Sequence, residues 1–369
     1  MLFIGFIYWS YLPSLNSSNL SIDFQTTLST SHQAEDFFNS TIQKNLPSRK
    51  VDRNQLDKQK LKEWMRKMEK KYSKAKERIK RVCKKYNIPS RKTVHWESLM
   101  ADTHYKVALC SISKAGSTTW RHHYLNFLSN KTQEGLRKKY GNHFLNMKGI
   151  MKRTFWRIPE KELPGISGDL IPPNVVNQFL KNNKILTFAF VRHPFERLVS
   201  AYNDRILNID NRKHHFVEAR GYKEWYDHDH SFPAFVDLVL NEYHQDCFAG
   251  KTQTSFMYQA KSYQSKCEFK INEHWNPYAS RCSFCDVDYD LIGHMETWSD
   301  DLNFIIRKQG LEKVIALENS STTHHSTKGN TQRMTKSYFS KLTKKQGTDL
   351  YNMYHMDFEM FNYDPKIYL

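Results

Sequence analysis

Two short segments of the sequence combine a cation with hydroxyl groups. The first is SKAGST at 113–118, which holds Lys114 between serine and threonine side chains. The second begins with Arg192 and reaches Ser200 within an amphipathic run. Lysine binds phosphate as a point charge, and arginine binds it through paired hydrogen bonds. The two segments therefore predict a ligand that carries phosphate groups at two positions.

Each segment lies where an apolar run gives way to a helical pattern. Residues 105–112 and 184–191 are predicted strands, and the helical spacing starts near Thr118 and at Pro194. A helix N-terminus attracts anions through its amides and its dipole, and Gly116 allows a tight turn at the first corner. In isolation the first segment is equally typical of an ordinary loop, and the second segment decides in favour of phosphate binding. Glu196 and Arg197 are interpreted as a solvated or intrahelical ion pair.

These segments resemble the motifs by which Golgi carbohydrate sulfotransferases bind 3′-phosphoadenosine 5′-phosphosulfate (PAPS). The closest branch contains the chondroitin and dermatan 4-O-, GalNAc 4-O- and HNK-1 sulfotransferases. Its 5′-phosphosulfate pattern CxVPKxxCTNWK corresponds to CSISKAGSTTWR at 110–121, and its 3′-phosphate pattern RxPFERLVSAY is intact at 192–202. Two further blocks agree, CDVDYDLIGHMET at 285–297 and LYNMYHMDFEMFNY at 350–363. The resemblance covers about residues 80–369, with Ser113, Ser117 and His193 as departures.

The resemblance implies the residues of the site. Lys114 is expected to stabilise the leaving oxygen, and His274, in the family's Glu-His-Trp position, is the candidate base, although a lone histidine is more often structural. Arg192 and Ser200 are expected to bind the 3′-phosphate, and no metal is expected. The residues expected at the 5′-phosphosulfate are Lys114, Ala115, Gly116, Ser117, Thr118, Thr119, Trp120 and Arg121.

The implied function is a carbohydrate O-sulfotransferase of the EC 2.8.2 type. It would move a sulfuryl group from PAPS to a sugar hydroxyl of a glycosaminoglycan or a glycoprotein glycan, with the 4-hydroxyl of chondroitin or dermatan GalNAc as the first choice of acceptor. The alternative is a catalytically silent member of the same fold that binds glycans. A nucleotide-dependent kinase is disfavoured because no Walker or kinase signature is present.

The resemblance also implies the architecture, a single P-loop-like α/β domain whose mostly parallel sheet is flanked by helices, preceded by a helical stem. We divide the chain into a partial signal anchor at 1–15, a disordered stem at 16–48, a basic helical segment at 49–88 and the catalytic domain at 89–369. The apolar run at 2–15 is shorter than a full membrane span. It predicts a single-pass type II protein of the Golgi membrane with a lumenal catalytic domain.

The basic segment carries most of the excess charge. Residues 49–85 hold 17 basic and 5 acidic side chains, a net +12 of the chain's +18. Two interpretations stay open: a coiled coil that joins two chains as a homodimer, or a helix that lies on its own domain. Nucleic-acid binding is disfavoured by the lumenal signals. The apolar residues have heptad spacing: Leu61, Met65, Met68, Tyr72, Ala75, Ile79, Val82 and Tyr86.

The six cysteines and the glycosylation sequons, two of them at Asn130 and Asn319, indicate an oxidising compartment. A disulfide between Cys247 and Cys267 is the first choice, although six cysteines permit many pairings. A zinc site that combines these two with Cys282 and Cys285 is the alternative, but its spacing is poor.

Overall fold

The computed structural model describes residues 53–88, 90, 94–95, 99–128, 130–140, 170–207, 223–248, 272–278, 282–318 and 325–369. The chain divides into two units, residues 1–59 and 60–369. The first unit is described only from residue 53, where a helix begins, so the predicted anchor and disordered stem lie outside the described residues. Among the helices that are described, none has the length and apolarity to cross a membrane.

The second unit is built on a four-stranded sheet of order β2-β3-β5-β6. Strand β2 pairs antiparallel with β3, whereas β3, β5 and β6 are mutually parallel. Strands β1 and β4 form a separate antiparallel pair. The predicted α/β domain with a mostly parallel sheet is thus confirmed. The strands are β1 Val94–His95, β2 Leu99–Asp102, β3 Val107–Cys110, β4 Leu170–Ile171, β5 Leu186–Val191 and β6 Leu291–His294.

Helices cover both faces of this sheet. Because side chains alternate along a strand, Ala108 and Ala189 join the apolar cluster on one face, while Leu109 and Phe188 join the cluster on the other. The helices are α1 Arg53–Lys85, α2 Ser117–Asn126, α3 Asn130–Tyr140, α4 Pro173–Asn182, α5 Pro194–Tyr202, α6 Lys223–His228, α7 Phe232–Phe248, α8 Trp298–Gln309, α9 His325–Phe339 and α10 Lys344–Phe361. A π-helix, Asn203–Leu207, continues α5, and 3₁₀ turns occur at Met295–Thr297 and Pro365–Ile367.

From residue 60 onward, helix α1 packs on its own domain. Met68 and Tyr72 belong to the apolar cluster on one face of the sheet, and Ile79 and Val82 belong to the cluster on the other. The Tyr72 hydroxyl donates a hydrogen bond of 2.6 Å to the buried carboxylate of Asp301. Of the two interpretations of the heptad stripe, the structure supports packing on the same chain. The compact unit 60–369 includes the helix from residue 60 onward, and the predicted boundary of the catalytic domain at residue 89 stays a prediction.

Two disulfides fix distant segments to one loop. Cys83 of α1 is bonded to Cys285, and Cys110 at the end of β3 is bonded to Cys282, with Cα–Cα distances of 5.7 and 6.0 Å. The zinc interpretation of Cys282 and Cys285 is therefore wrong, because neither sulfur is a free thiolate. The predicted Cys247–Cys267 bond lies outside the described residues, since Cys267 and the side chain of Cys247 are not described.

Candidate active site

The pairing of β3 with β5 brings the two predicted corners to the same edge of the sheet. Leu109 lies opposite Phe188 and Cys110 opposite Ala189 in a parallel ladder. Because parallel strands end at one edge, the loop that carries Lys114 emerges beside the residue that follows β5, Arg192. Burial lowers the pKa of Lys114, and the positive charges of Arg205 and Arg192 add to this effect.

The first corner is shaped by two residues with left-handed backbone. Lys114 has φ 69° and Gly116 has φ 77°, and Gly116 is the N-cap of α2 without a side-chain cap bond. A Cβ added to Gly116 would lie 3.0 Å from Cη2 of Trp298 and closer still to Cζ3. Both the φ value and the Trp298 ring therefore require glycine here. The first-turn amides of α2 are left to meet an anion, as at any helix start.

Two members of the predicted phosphosulfate set face away from the site. The Trp120 side chain is fully buried, with its ring centroid 4.6 Å from that of Phe188, and its backbone N–H donates to Gly116. Trp120 is thus a core residue, which corrects its assignment as a ligand of the donor. The N–H of Ala115 likewise donates to the carbonyl of Ile112 at 3.3 Å. Ser117, Thr118, Thr119 and Arg121 occupy the first turns of α2, as the sequence predicts.

Lys114 faces a carboxylate that the sequence analysis missed. Its Nζ lies 3.2 Å from Oδ2 of Asp204, and Nε of Arg205 also lies 3.2 Å from that oxygen. Burial lowers the pKa of Lys114 from its usual value, and the nearby Arg205 adds to this, while Asp204 opposes it. Both Asp204 and Arg205 belong to the π-helix that continues α5, a feature frequent at functional sites.

The second corner is held by hydrogen bonds to its backbone and side chains. The Tyr278 hydroxyl accepts from the N–H of Arg192 at 3.0 Å and donates to the Arg192 carbonyl at 2.9 Å. His193 caps α5 by accepting from the N–H of Phe195. Nε of Arg192 lies 3.5 Å from Glu196, which also receives the Tyr368 hydroxyl at 2.6 Å. Glu196 is buried, so the predicted solvated pair is wrong, and its ion pair is with Arg192, four residues before it.

Ser200 is half-buried further along α5. It lies on the helix that Arg192 precedes, so its expected role at the 3′-phosphate stays a prediction.

Arg197 is the clearest departure from the sequence analysis. Its side chain is 1% exposed and donates to three backbone carbonyls, those of Ser113 at 3.0 Å, Glu273 at 2.9 Å and Asn276 at 2.8 Å. The guanidinium also lies over the Tyr278 ring, 4.7 Å from its centroid. Arg197 therefore joins the Lys114 corner to the loop of His274, and the predicted surface ion pair is wrong.

His274 lies beside the site but is held as a neutral hydrogen-bonding group. Oδ1 of Asn272 accepts from the backbone N–H of His274, so this oxygen also accepts from Nδ1–H at 2.7 Å. Nε2 then accepts from Nε of Arg205 at 2.9 Å, since an arginine only donates. Burial, together with the charge of Arg205, lowers the pKa of His274 to about 3. In this structure the basic nitrogen accepts from Arg205, a contact that disfavours His274 as the base, and its expected role stays a prediction.

Comparison with known proteins identifies the family. A family model described as the sulfotransferase family matches residues 96–364. The chain belongs to the sulfotransferase family. It is 28% identical over 223 residues to carbohydrate sulfotransferase 10 of Xenopus laevis, 26% over 307 residues to carbohydrate sulfotransferase 11 of Danio rerio and 25% over 298 residues to carbohydrate sulfotransferase 8 of Mus musculus. These alignments cover 54%, 79% and 77% of this chain, and 58%, 76% and 62% of the relatives. No solved structure matches the chain.

The predicted family is therefore confirmed, and the site of this sulfotransferase fits the donor that the family implies. Lys114 and Arg192 are brought together from the two corners, and Arg205 adds a third cation. Gly116 supplies the left-handed turn at the start of α2, where the helix amides can meet a phosphate. These features match the charge of PAPS, and the assignment of Lys114 to one phosphate and Arg192 to the other stays a prediction.

Proposed function

We propose that the protein is a carbohydrate O-sulfotransferase that moves the sulfuryl group of PAPS to a sugar hydroxyl. The observation that carries the proposal is the parallel pairing of β3 with β5, which sets Lys114 and Arg192 at one edge of the sheet. Two cations that follow the ends of two different strands can bind a ligand that carries two separated phosphates. The named relatives, all carbohydrate sulfotransferases, support a sugar as the acceptor.

In this reaction the residues of the chain act through position and charge. Sulfuryl transfer resembles phosphoryl transfer, in which catalysis depends mostly on alignment and on stabilising charge. Negative charge grows on the oxygen that leaves the sulfur, and the ammonium of Lys114 stabilises it together with the amides of the first turn of α2. The partial burial of Lys114, whose side chain is 20% exposed, strengthens that interaction because little water screens it.

We propose the 4-hydroxyl of GalNAc in chondroitin or dermatan as the acceptor, and the Golgi lumen as the compartment. The two disulfides are typical of an oxidising compartment. In this proposal the apolar residues 2–15 belong to a signal anchor, and the catalytic domain is lumenal.

The test is release of the bisphosphate product, PAP, from PAPS in the presence of a panel of desulfated glycans. The wild-type protein is expected to be most active with a GalNAc-containing glycosaminoglycan. Lys114→Ala is expected to lower kcat about 10²–10³-fold, the usual loss for one donor at a developing oxyanion. Lys131→Ala, which removes an exposed lysine of α3, is the matched control and is expected to keep wild-type activity.

Two measurements, PAP release and retention of glycans, distinguish a sulfotransferase from a catalytically silent glycan-binding protein. A catalytically silent glycan-binding protein would retain the glycans on a column but release no PAP with any acceptor. A Lys114→Ala variant with unchanged kcat would contradict the role of that residue, even if the wild type transferred sulfate.

A further inference from the structure

A sugar hydroxyl that attacks sulfur must give up its proton, and the geometry of His274 leaves that task to another group. Its Nε2 lone pair already accepts from Arg205, and its Nδ1 carries the hydrogen that Asn272 accepts. A general base needs an unprotonated atom that faces the reacting hydroxyl. The base must therefore be sought among the groups next to Lys114.

We propose that Asp204 is the catalytic base of this sulfotransferase, an assignment that rests on the proposed function. Its Oδ2 lies 3.2 Å from Nζ of Lys114, the cation that defines where the bond to sulfur breaks. The side chain is 35% exposed, so an acceptor hydroxyl can approach it from solvent. A carboxylate this close to Lys114 lies near the atoms that react. Carboxylates also serve as general bases in many enzymes.

The position of Asp204 is set by the π-helix. The preceding residue, Asn203, donates to the carbonyl of Val199 at 3.0 Å and accepts from the Tyr338 hydroxyl at 3.0 Å. On the other side, Ile206 is buried in the apolar cluster of α5, α7, α9 and α10. The backbone on both sides of Asp204 is thus anchored, which gives the carboxylate the fixed position that proton transfer requires.

Two other carboxylates near the second corner, Glu196 and Glu296, have structural partners. Glu196 receives the Tyr368 hydroxyl at 2.6 Å. Glu296 accepts from the backbone N–H of His193 at 3.0 Å and from the Tyr363 hydroxyl at 2.9 Å. Asp204 differs because it forms ion pairs with two cations of the site, Lys114 and Arg205.

In the proposed step, one bond to sulfur forms while another breaks. The acceptor oxygen forms a bond to sulfur while the bond between sulfur and the 5′-phosphate oxygen breaks, and that oxygen keeps the electron pair. The hydroxyl proton passes to a carboxylate oxygen of Asp204 and is later released to water. When Lys114 turns toward the negative charge of the donor, it withdraws from Asp204, so the same ligand that needs the lysine also makes the carboxylate available.

The test compares Asp204→Asn with Asp204→Ala. Asparagine keeps an oxygen that Lys114 and Arg205 can approach but accepts no proton in the reaction. We expect Asp204→Asn to lower kcat about 10²–10⁴-fold, the range for loss of a general base. Its affinity for PAP, measured by calorimetry, should be unchanged or higher, because one negative charge beside the phosphates is removed. Glu312→Gln, an exposed carboxylate elsewhere, is the matched control and keeps wild-type activity.

Two further measurements exclude a purely positioning role. If Asp204 only held Lys114, Asp204→Asn would retain kcat and Asp204→Ala would lose it, and this pattern would overturn the proposal. The wild-type kcat should also fall as the pH drops and Asp204 becomes protonated, and Asp204→Asn should lack that fall. The charged groups in contact with this carboxylate include Lys114 and Arg205. The charge of Arg192 acts on Lys114, and His274, which accepts from Arg205, feels the charge of Glu273.

His274→Gln separates the two candidates. Glutamine can still accept from Arg205, so this variant is expected to lose less than about tenfold in kcat, a loss below the range for a general base. A larger loss in His274→Gln than in Asp204→Asn would return the role of base to His274. A wild-type protein that released no PAP with any glycan would overturn the proposed function and this assignment together, whereas an active Asp204→Asn variant would overturn this assignment alone.

Discussion

Substitution of Gly116 by alanine tests the shape of the phosphate loop. The φ of 77° places Gly116 in the left-handed region, where an L-residue costs about 1–2 kcal/mol. The new Cβ would also meet the ring of Trp298, with Cη2 at 3.0 Å and Cζ3 closer. That ring is 2% exposed and lies 4.6 Å between centroids from Phe190, so it has little room to shift. Overpacking of this kind costs about 1–3 kcal/mol.

The two contributions together predict a loss of about 2–5 kcal/mol in the free energy of unfolding. Gly310→Ala is the matched control, because Gly310 has φ 64° but nothing within 4 Å of an added Cβ. It should show only the backbone cost of about 1–2 kcal/mol. Urea titration measures both values. The difference between the two variants therefore isolates the contact with Trp298.

Affinity for PAP provides the second assay. Gly116→Ala should weaken PAP binding because the displaced loop carries Lys114, whereas Gly310→Ala, at the far end of α8, should not. Equal destabilisation of the two variants, with PAP binding retained in both, would refute the contact between Gly116 and Trp298 as the reason for glycine in the loop.

Three other predictions follow from the packing and the charges. Arg197→Met should lower the free energy of unfolding by at least about 3 kcal/mol in urea titration, since it leaves three buried carbonyls without their donor; a loss below about 1 kcal/mol would contradict this. The unfolded chain protonates His274 near pH 6.5, but the folded protein does so only near 3, so the free energy of unfolding falls as the pH drops. Between pH 6.5 and 5.5 the wild type should lose about 1 kcal/mol more than His274→Gln, and parallel pH curves would contradict this. A chain that starts at residue 89 should show no cooperative unfolding transition, because it lacks the buried stripe of α1 and Cys83. A chain that starts at residue 49 should fold and be a monomer in light scattering. A dimer of this longer chain would support the coiled-coil interpretation instead.

The corners of the fold were predictable because their signals are local. An apolar run followed by Gly116, or by Pro194 at the first helical position, specifies strand, turn and helix without distant partners. The pairing of β3 with β5 then follows from the rule that strands joined through a helix lie parallel. Lys114 and Arg192 could thus be placed at one edge from sequence alone.

The interior of the site could not be predicted, because it depends on contacts between distant segments. Arg197 follows a glutamate on a helix and looks like half of a surface pair. It is buried because the loop at 272–278 covers α5. His274 is a typical base by residue type, and only the approach of Arg205 shows that its lone pair is taken. Asp204 lies just beyond the recognisable motif, and only the folded chain shows that it lies close to Lys114.

The stripe of α1 was ambiguous for a different reason. Heptad spacing is the same whether a helix meets a second chain or its own domain. The partner of the helix depends on which surface is complementary to its apolar stripe. Here that surface includes the Phe304 ring, whose centroid lies 4.9 Å from that of Tyr72, and the carboxylate of Asp301. Neither residue is marked in the sequence as a partner of α1.

The convergence of both disulfides on one loop has a consequence for biosynthesis. The cysteines that must meet are separated by 202 and 172 residues, and both partners of the early cysteines lie at 282 and 285. Neither bond can close before that loop has been made. At about 5–20 residues per second, helix α1 waits about 10–40 s after its own synthesis for its covalent partner. During that interval the apolar stripe also lacks Phe304 and Asp301, which pack against Tyr72, so we expect the nascent chain to depend on a chaperone at helix α1.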